Sequence, residues 1–138
     1  MGGTYQDLRV WRSAMDLTAH IYRVTRKFPS EEMYGLSSQM RRAAVSVPSN
    51  VAEGKGRSSD KELLRFLSCA RGSVYELQTQ IEIAECLGYL STAERQGLTQ
   101  QANDVGRMLN GMISSFRERQ NSRLEAMPNS ALGSRLRS

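Results

Sequence analysis

The best candidate for any chemistry in this chain is a stripe of polar residues. Arg42, Ser46, Asn50 and Glu53 recur at intervals of four and three, and residues so spaced share one side of a helix. Ser73, Glu76 and Gln80 repeat that spacing farther along. If the two stripes face each other, Arg42 can pair with Glu76, and Asn50 and Glu53 can bond Ser73 or backbone left without a partner. One reading is a buried polar network, or a subunit interface, that fixes helix register. The other is a ligand or catalytic site around Asn50, Glu53 and Glu76, two carboxylates beside an amide.

Other routes to chemistry are closed by the residue inventory. A di-iron bundle needs Glu from two helices and Glu-x-x-His from two more. This chain has a single histidine, His20, with Leu17 three residues before it. Beside an apolar row, His20 reads as packed or hydrogen-bonded. No Gly-x-Ser-x-Gly motif, phosphate loop or dinucleotide fingerprint occurs. The expectation is no metal, no cofactor and no enzyme activity. Cys69 and Cys86 fall in one predicted helix, too far apart for a disulfide, and read as reduced and packed.

The elements that carry these stripes follow from length and periodicity. At 138 residues the chain makes one domain with a real core. Aromatics at 7%, three prolines and no alternating β-branched runs favour an all-α fold. No run of 18 apolar residues is present. Met1-Gly2-Gly3 opens like an acylation site but has Gln6 where that motif needs Ser or Thr. A cytoplasmic protein with no membrane partner is expected.

Residues 1–6 read as a flexible arm and 7–120 as the bundle domain. The first helix, 7 to about 27, carries Val10, Ala14, Leu17, Ile21, Val24 and Phe28, with Trp11, Met15, Thr18 and Tyr22 as a second row. The second, Leu36 to Glu53, carries Leu36, Met40, Ala43 and Val47, and its small residues admit a close neighbour. Pro48 removes the amide that would bond the Ala44 carbonyl. In a helix interior that costs roughly 3 kcal/mol and predicts a bend. Gly54 and Gly56 predict a left-handed stop.

Ser59-Asp60-Lys61-Glu62 and Ser91-Thr92-Ala93-Glu94 are capping boxes that open the third and fourth helices. The third buries Leu63, Leu67, Ala70, Val74, Leu77, Ile81 and Ala84 and stops at Gly88. The fourth buries Leu98, Ala102, Val105, Leu109, Met112 and Phe116. Its Gly97, Gly106 and Gly111 suggest a close packing partner or a mobile last element. Residues 121–138 read as a disordered basic tail. Short connections make successive helices antiparallel neighbours. The expected architecture is an all-α, antiparallel, up-down-up-down four-helix bundle with its second helix kinked near Pro48.

Charge points outward. The net charge is +5, concentrated in residues 1–57 and in the tail from Arg117. Arg9, Arg12, Arg23, Arg26 and Lys27 fall on the polar side of the first helix, and Arg41, Lys55 and Arg57 lie near the ends of the second. Such a strip is either solvated surface or a set of phosphate contacts. Neither interleaved aromatics nor a DNA-reading module accompanies it, so sequence-specific readout is not expected.

Several segments together resemble one family: Leu8-x-x-Trp11, Phe28-Pro29, Gly35-Leu36, the stretch Gln39–Arg57 and the segment Ala70–Leu77. The run Ala-Val-Ser-Val-Pro-Ser-Asn-Val-Ala-Glu-Gly at 44–54 is the most specific part. These residues resemble the four-helix-bundle proteins encoded within intervening sequences of bacterial 23S ribosomal RNA genes. The accessory protein of diversity-generating retroelements looks like a relative. The resemblance spans about residues 5–116, with Arg42, Ser46, Asn50, Glu53, Gly54, Ser73 and Glu76 as the matching characteristic positions. It implies a homopentameric ring or barrel of four-helix bundles with no established enzyme activity. From the retroelement relative it implies binding of nucleic acid and of a partner protein, a reverse transcriptase, through a basic surface. The leading expectation is therefore a self-assembling, RNA-associated accessory or scaffold protein. The alternatives are a protein–protein scaffold without nucleic-acid affinity and a small-molecule site around Asn50, Glu53 and Glu76.

Overall fold

A computed structural model of the chain describes Tyr5 and residues 8–127. Residues 1–4 and 6 of the expected arm, residue 7 of the expected first helix and residues 128–138 of the expected tail lie outside the described residues. Four helices account for the architecture: α1 (Arg9–Thr25), α2 (Leu36–Lys55), α3 (Asp60–Cys86) and α4 (Thr92–Glu125). One turn of 3-10 helix, Ser30–Glu32, sits between α1 and α2. No helix among the described residues is long and apolar enough to cross a membrane.

Side-chain pairs between the helices fix their directions. Arg41 of α2 bonds Thr25 near the end of α1, while Thr18 reaches Ala44. Ser46 meets Ser73 across α2 and α3, Gln78 meets Asn103 across α3 and α4, and His20 meets Gln101 across α1 and α4. Gly54 against Phe66, Arg71 with Asn110 and Lys27 with Glu94 give each of these helix pairs a second contact, and in every case the order along one helix is reversed on the other. The helices pack as a closed ring, α1–α2–α3–α4–α1, in up-down-up-down order. The His20 contact, 2.5 Å from Nδ1 to Gln101 Oε1, is the hydrogen-bonded role expected of the lone histidine.

The core follows the periodicity closely. Val10, Ala14, Leu17, Ile21 and Val24 of α1 are buried against Met40, Ala43, Val47 and Val51 of α2 and the expected α3 row from Leu67 to Ala84. Three rows shift. Phe66 is buried in α3 and Leu63 only partly, and both pack beside Gly54. Ile113 is buried in α4, whereas Met112 and Phe116 only flank the core. Met15 and Tyr22 of the second α1 row are exposed, although Thr18 between them reaches α2 and Tyr22 lies under Arg41. Cys69 and Cys86, expected to be packed, are exposed as well, because both fall outside the buried α3 row.

Helix ends obey capping chemistry with two departures. The Ser91–Glu94 box is complete, but at Ser59 only the serine half forms, with Glu62 N–H donating to its Oγ at 3.2 Å. The expected left-handed stop after α2 is absent: Gly54 lies inside the helix, and Gly56 closes it with right-handed backbone at φ −80°. Gly88 does adopt φ +79°, and Tyr89 N–H then reaches Ala84 O at 2.9 Å, the six-to-one bond of a Schellman end. α4 continues to Glu125, five residues into the segment read as tail, with its last turns largely exposed.

α2 runs unbroken through Pro48. The carbonyl that Pro48 leaves without its amide, Ala44 O, lies 3.1 Å from Thr18 Oγ1 of α1, which also sits 2.8 Å from its own Ala14 O. One hydroxyl hydrogen therefore serves two carbonyls, and the helix break is repaired by a neighbour. The end of the bundle near the α1–α2 connection is closed by a second polar contact. Glu32 Oε1 accepts from Leu36 N–H at 3.0 Å, capping α2, and Glu32 Oε2 accepts from the Tyr89 hydroxyl at 2.9 Å. Tyr89 also packs on buried Phe28, ring centroids 5.2 Å apart.

Two predictions follow from these repairs. Thr18→Val should destabilise the fold by about 1–3 kcal/mol, the cost of an unsatisfied buried acceptor. In a Pro48→Ala background, where residue 48 regains its amide, the same change should cost less, as urea unfolding of the four cycle members would read. Equal costs in both backgrounds would show that Thr18 does not serve Ala44. The Leu36 amide, followed by the Tyr89 hydroxyl, holds the Glu32 carboxyl below its usual range. The Glu32 carboxylate in turn pushes the Tyr89 hydroxyl upward. Glu32 thus contributes stability that is complete above the ordinary carboxylate pKa and lost as pH falls through its lowered value. Tyr89 contributes below its ordinary pKa and loses it as pH rises through the raised one. Thermal midpoints across the acid range should fall less steeply for Glu32→Gln than for the natural chain.

Candidate nucleic-acid interface

The polar stripe forms the seam between α2 and α3, although not as a closed network. Ser46 Oγ and Ser73 Oγ are 2.8 Å apart, and Asn50 Nδ2 donates to Ser46 Oγ at 2.9 Å and to Ser46 O at 2.8 Å. These three are half-buried, whereas Arg42, Glu53 and Glu76 are exposed. Arg42 and Glu76 make no ion pair with each other. They line one polar cavity of about 370 Å³ together with Gln39, Ala43 and the two serines. Glu76 instead accepts from Gln80 Nε2 at 3.2 Å, and Glu53 faces Arg57 at 3.6 Å. Asn50 and Glu53 do not line the cavity that Glu76 lines. Among the described residues no group of three or more His, Cys, Asp or Glu side chains is placed as metal ligands would be.

The seam is tight at its lower end. A Cβ on Gly54 would stand 2.9 Å from Phe66 Cβ and 3.0 Å from Leu63 Cδ1. Gly54 is thus required for close approach of α3, whereas the sequence suggested it for a helix stop.

The basic residues on α1 share one outward side but separate along its length. Arg9 and Arg23 are fourteen residues apart, roughly 21 Å along the axis. Asp16 and Ala19, both exposed, interrupt the line between them. At the far end Lys27 is paired with Glu94 at 2.9 Å. Arg41 Nε donates to Thr25 Oγ1 at 2.9 Å, with its guanidinium 4.8 Å from the Tyr22 ring. Arg23 and Arg26 have no ion-pair partner among the described residues.

At the opposite end the antiparallel fold gathers basic side chains from all four helices. Arg9 and Arg12 begin α1, and Lys55 and Arg57 close α2. Lys61 and Arg65 lie in the first turns of α3, and Arg117, Arg119 and Arg123 lie in the last turns of α4. Glu53 partly neutralises Arg57, and Asp60 partly neutralises Arg123 at 3.0 Å. Arg57 and Arg65 both lie over the Phe66 ring, 4.9 and 4.5 Å from its centre, and Arg119 lies 3.9 Å over Phe116. Lys61, Arg65 and Arg117 line one surface hollow with Glu62. Sequence reading found Arg9, Arg12, Lys55 and Arg57 of this group. It missed Lys61, Arg65, Arg117, Arg119 and Arg123, and the available signal was the up-down order itself, which brings both chain-distant helix ends to one place.

A model of the 23S rRNA-intervening sequence protein family matches residues 6–111. The chain belongs to that family. The match covers the whole α2–α3 seam and stops before the basic last turns of α4. A solved structure from Bacteroides thetaiotaomicron, a protein of unknown function from the S23 ribosomal protein family, has the same fold at 16% identity. Its TM-score is 0.71, over 76% of this chain and 95% of that one. No curated protein matches.

Within this family member, Gly54→Ala should be destabilising. Alanine gains up to about 1 kcal/mol of helix propensity, but the collision with Phe66 and Leu63 costs about 1–3 kcal/mol. Gly97→Ala, where nothing lies within 4 Å of the new Cβ, should raise the urea midpoint. A stabilised Gly54→Ala variant would show that the seam is looser than its geometry.

Proposed function

We propose that this family member is a cytoplasmic, self-assembling bundle that associates with structured RNA through its basic end and has no catalytic activity of its own. The observation that carries the reading is the convergence of basic side chains from four helices on one end of the bundle. A surface gathered from elements distant in sequence can span several phosphates at once, and each phosphate contact releases counterions. Three of these guanidinium groups lie on aromatic rings, which holds them in extended positions. Self-assembly is supported by exposed Val45, Tyr75, Ile83 and Leu87 on α2 and at the outer side and end of α3, on the same helices as the exposed Arg42 and Glu76. A ring of five copies is the assembly that the family resemblance implies. Those exposed apolar residues also favour a second reading, a protein scaffold that binds a partner protein and no nucleic acid.

Purified protein titrated with a labelled structured RNA and an equal-length DNA duplex separates the two, with mass measured by light scattering on the same samples. With about six phosphate contacts, affinity should fall by roughly 10³ between 50 and 200 mM salt. Reversing Lys61, Arg65 and Arg117 to Glu should weaken binding more than reversing Arg23 and Arg26. An assembled protein with no affinity for either polymer leaves the scaffold reading standing.

A further inference from the structure

A second feature of the basic end points to a small ligand, independently of the RNA reading. Between the start of α1 and residues 108–119 of α4 lies a shallow, open groove of about 650 Å³. Its walls are Leu8 and Val10 on one side and Met108, Met112 and Phe116 on the other. Arg9 and Arg119 are the charged residues among its lining, and both are exposed. Arg119 lies over Phe116, and neither arginine has an ion-pair partner among the described residues. Asp16 and Asp104 line a neighbouring polar cavity that Arg9 also borders, Asp104 is held by Arg107, and Glu118 adjoins Arg119 in α4. Gly111 forms part of the cleft wall, with nothing within 4 Å of where a Cβ would stand. The two thioethers are adaptable contacts for an alkyl chain.

We propose that this cleft binds an apolar anion, a long-chain carboxylate whose tail lies on the methionines and whose head group is held by Arg9 and Arg119. Charge complementarity decides the sign of the ligand, and the apolar walls decide its tail. The chain's own ends are poor occupants. Tyr5 packs edge-on against Trp11, ring centroids 5.4 Å apart, on the side of α1 that carries Thr18 towards α2. Residues 128–138 bring Arg135 and Arg137, which the rim arginines repel.

The test is calorimetric titration of the full chain with dodecanoate below its micelle concentration, with dodecyltrimethylammonium as a control of equal tail and opposite charge. Dodecanoate should bind saturably, one per chain, and the cation at least about tenfold more weakly. Gly111→Leu, which fills the cleft and improves helix propensity, should weaken dodecanoate by about tenfold or more while leaving the thermal midpoint unchanged or higher. Arg119→Gln should weaken dodecanoate and leave the cation unaffected. Equal binding of both amphiphiles, an unaltered affinity in Gly111→Leu, or no saturable binding because tail or a second copy covers the cleft would each overturn the proposal.

Discussion

A proline in the middle of a helix leaves one carbonyl without its amide, and in this bundle the missing donor comes from another helix. Thr18 of α1 stands between Ala14 O and Ala44 O, so the continuity of α2 depends on α1 being in register with it. Helix α2 is the element that both of its neighbours read. On one side Arg41 bonds Thr25 and stacks on Tyr22. On the other, Ser46 bonds Ser73, and Gly54 admits Phe66 at a distance that no side chain would allow. These contacts are specific in a way that apolar packing is not. Sliding α2 by one turn would leave the apolar rows matched but would orphan the Ala44 carbonyl and force Gly54 out of place. Register is therefore set by a few polar and steric points laid over a permissive core.

Much of this was legible in the sequence because helices announce themselves by period. The rows from Val10 to Val24 and from Leu67 to Ala84 are buried as read, and Ser91 and Gly88 mark helix ends by their own chemistry. What the period cannot give is the partner. Gly54 has the same residue type whether it ends a helix or makes room for a ring, and only the position of Phe66 distinguishes the two. Met15 and Tyr22 are apolar at helical spacing, yet they lie at the rim of the α1–α2 contact and stay exposed, Tyr22 under the Arg41 guanidinium. The cysteines fail for the same reason: burial follows angle about the helix more than residue type.

The candidate interface is harder to read, because the positions of basic residues on the first two helices do not say which helix ends meet. Arg9 and Arg23 share a face of α1 but are separated by four turns of helix with Asp16 between them. Arg9 and Arg119 are 110 positions apart in the chain and line one cleft. In an antiparallel bundle the useful coordinate is distance from an end, and residues at the start of odd helices join those at the finish of even ones. Applied to this chain, that coordinate divides it into a basic end and an end where Lys27 faces Glu94 and Arg95 faces Glu85.

The division has a consequence for how the family fold is put to use. The matched region, residues 6–111, contains every contact that sets register: Thr18 to Ala44, Ser46 to Ser73, and Gly54 to Phe66. The last turns of α4, with Arg117, Arg119 and Arg123, lie beyond it and are largely exposed. They rest on the bundle through Phe116 and through the Arg123 contact with Asp60. A helix extended past its core carries little obligation to packing, so its surface is free to take charge without loss of stability. The shared part of the chain fixes where α4 emerges, beside Arg9 and above Lys61 and Arg65. The extension then determines how much positive charge is presented there.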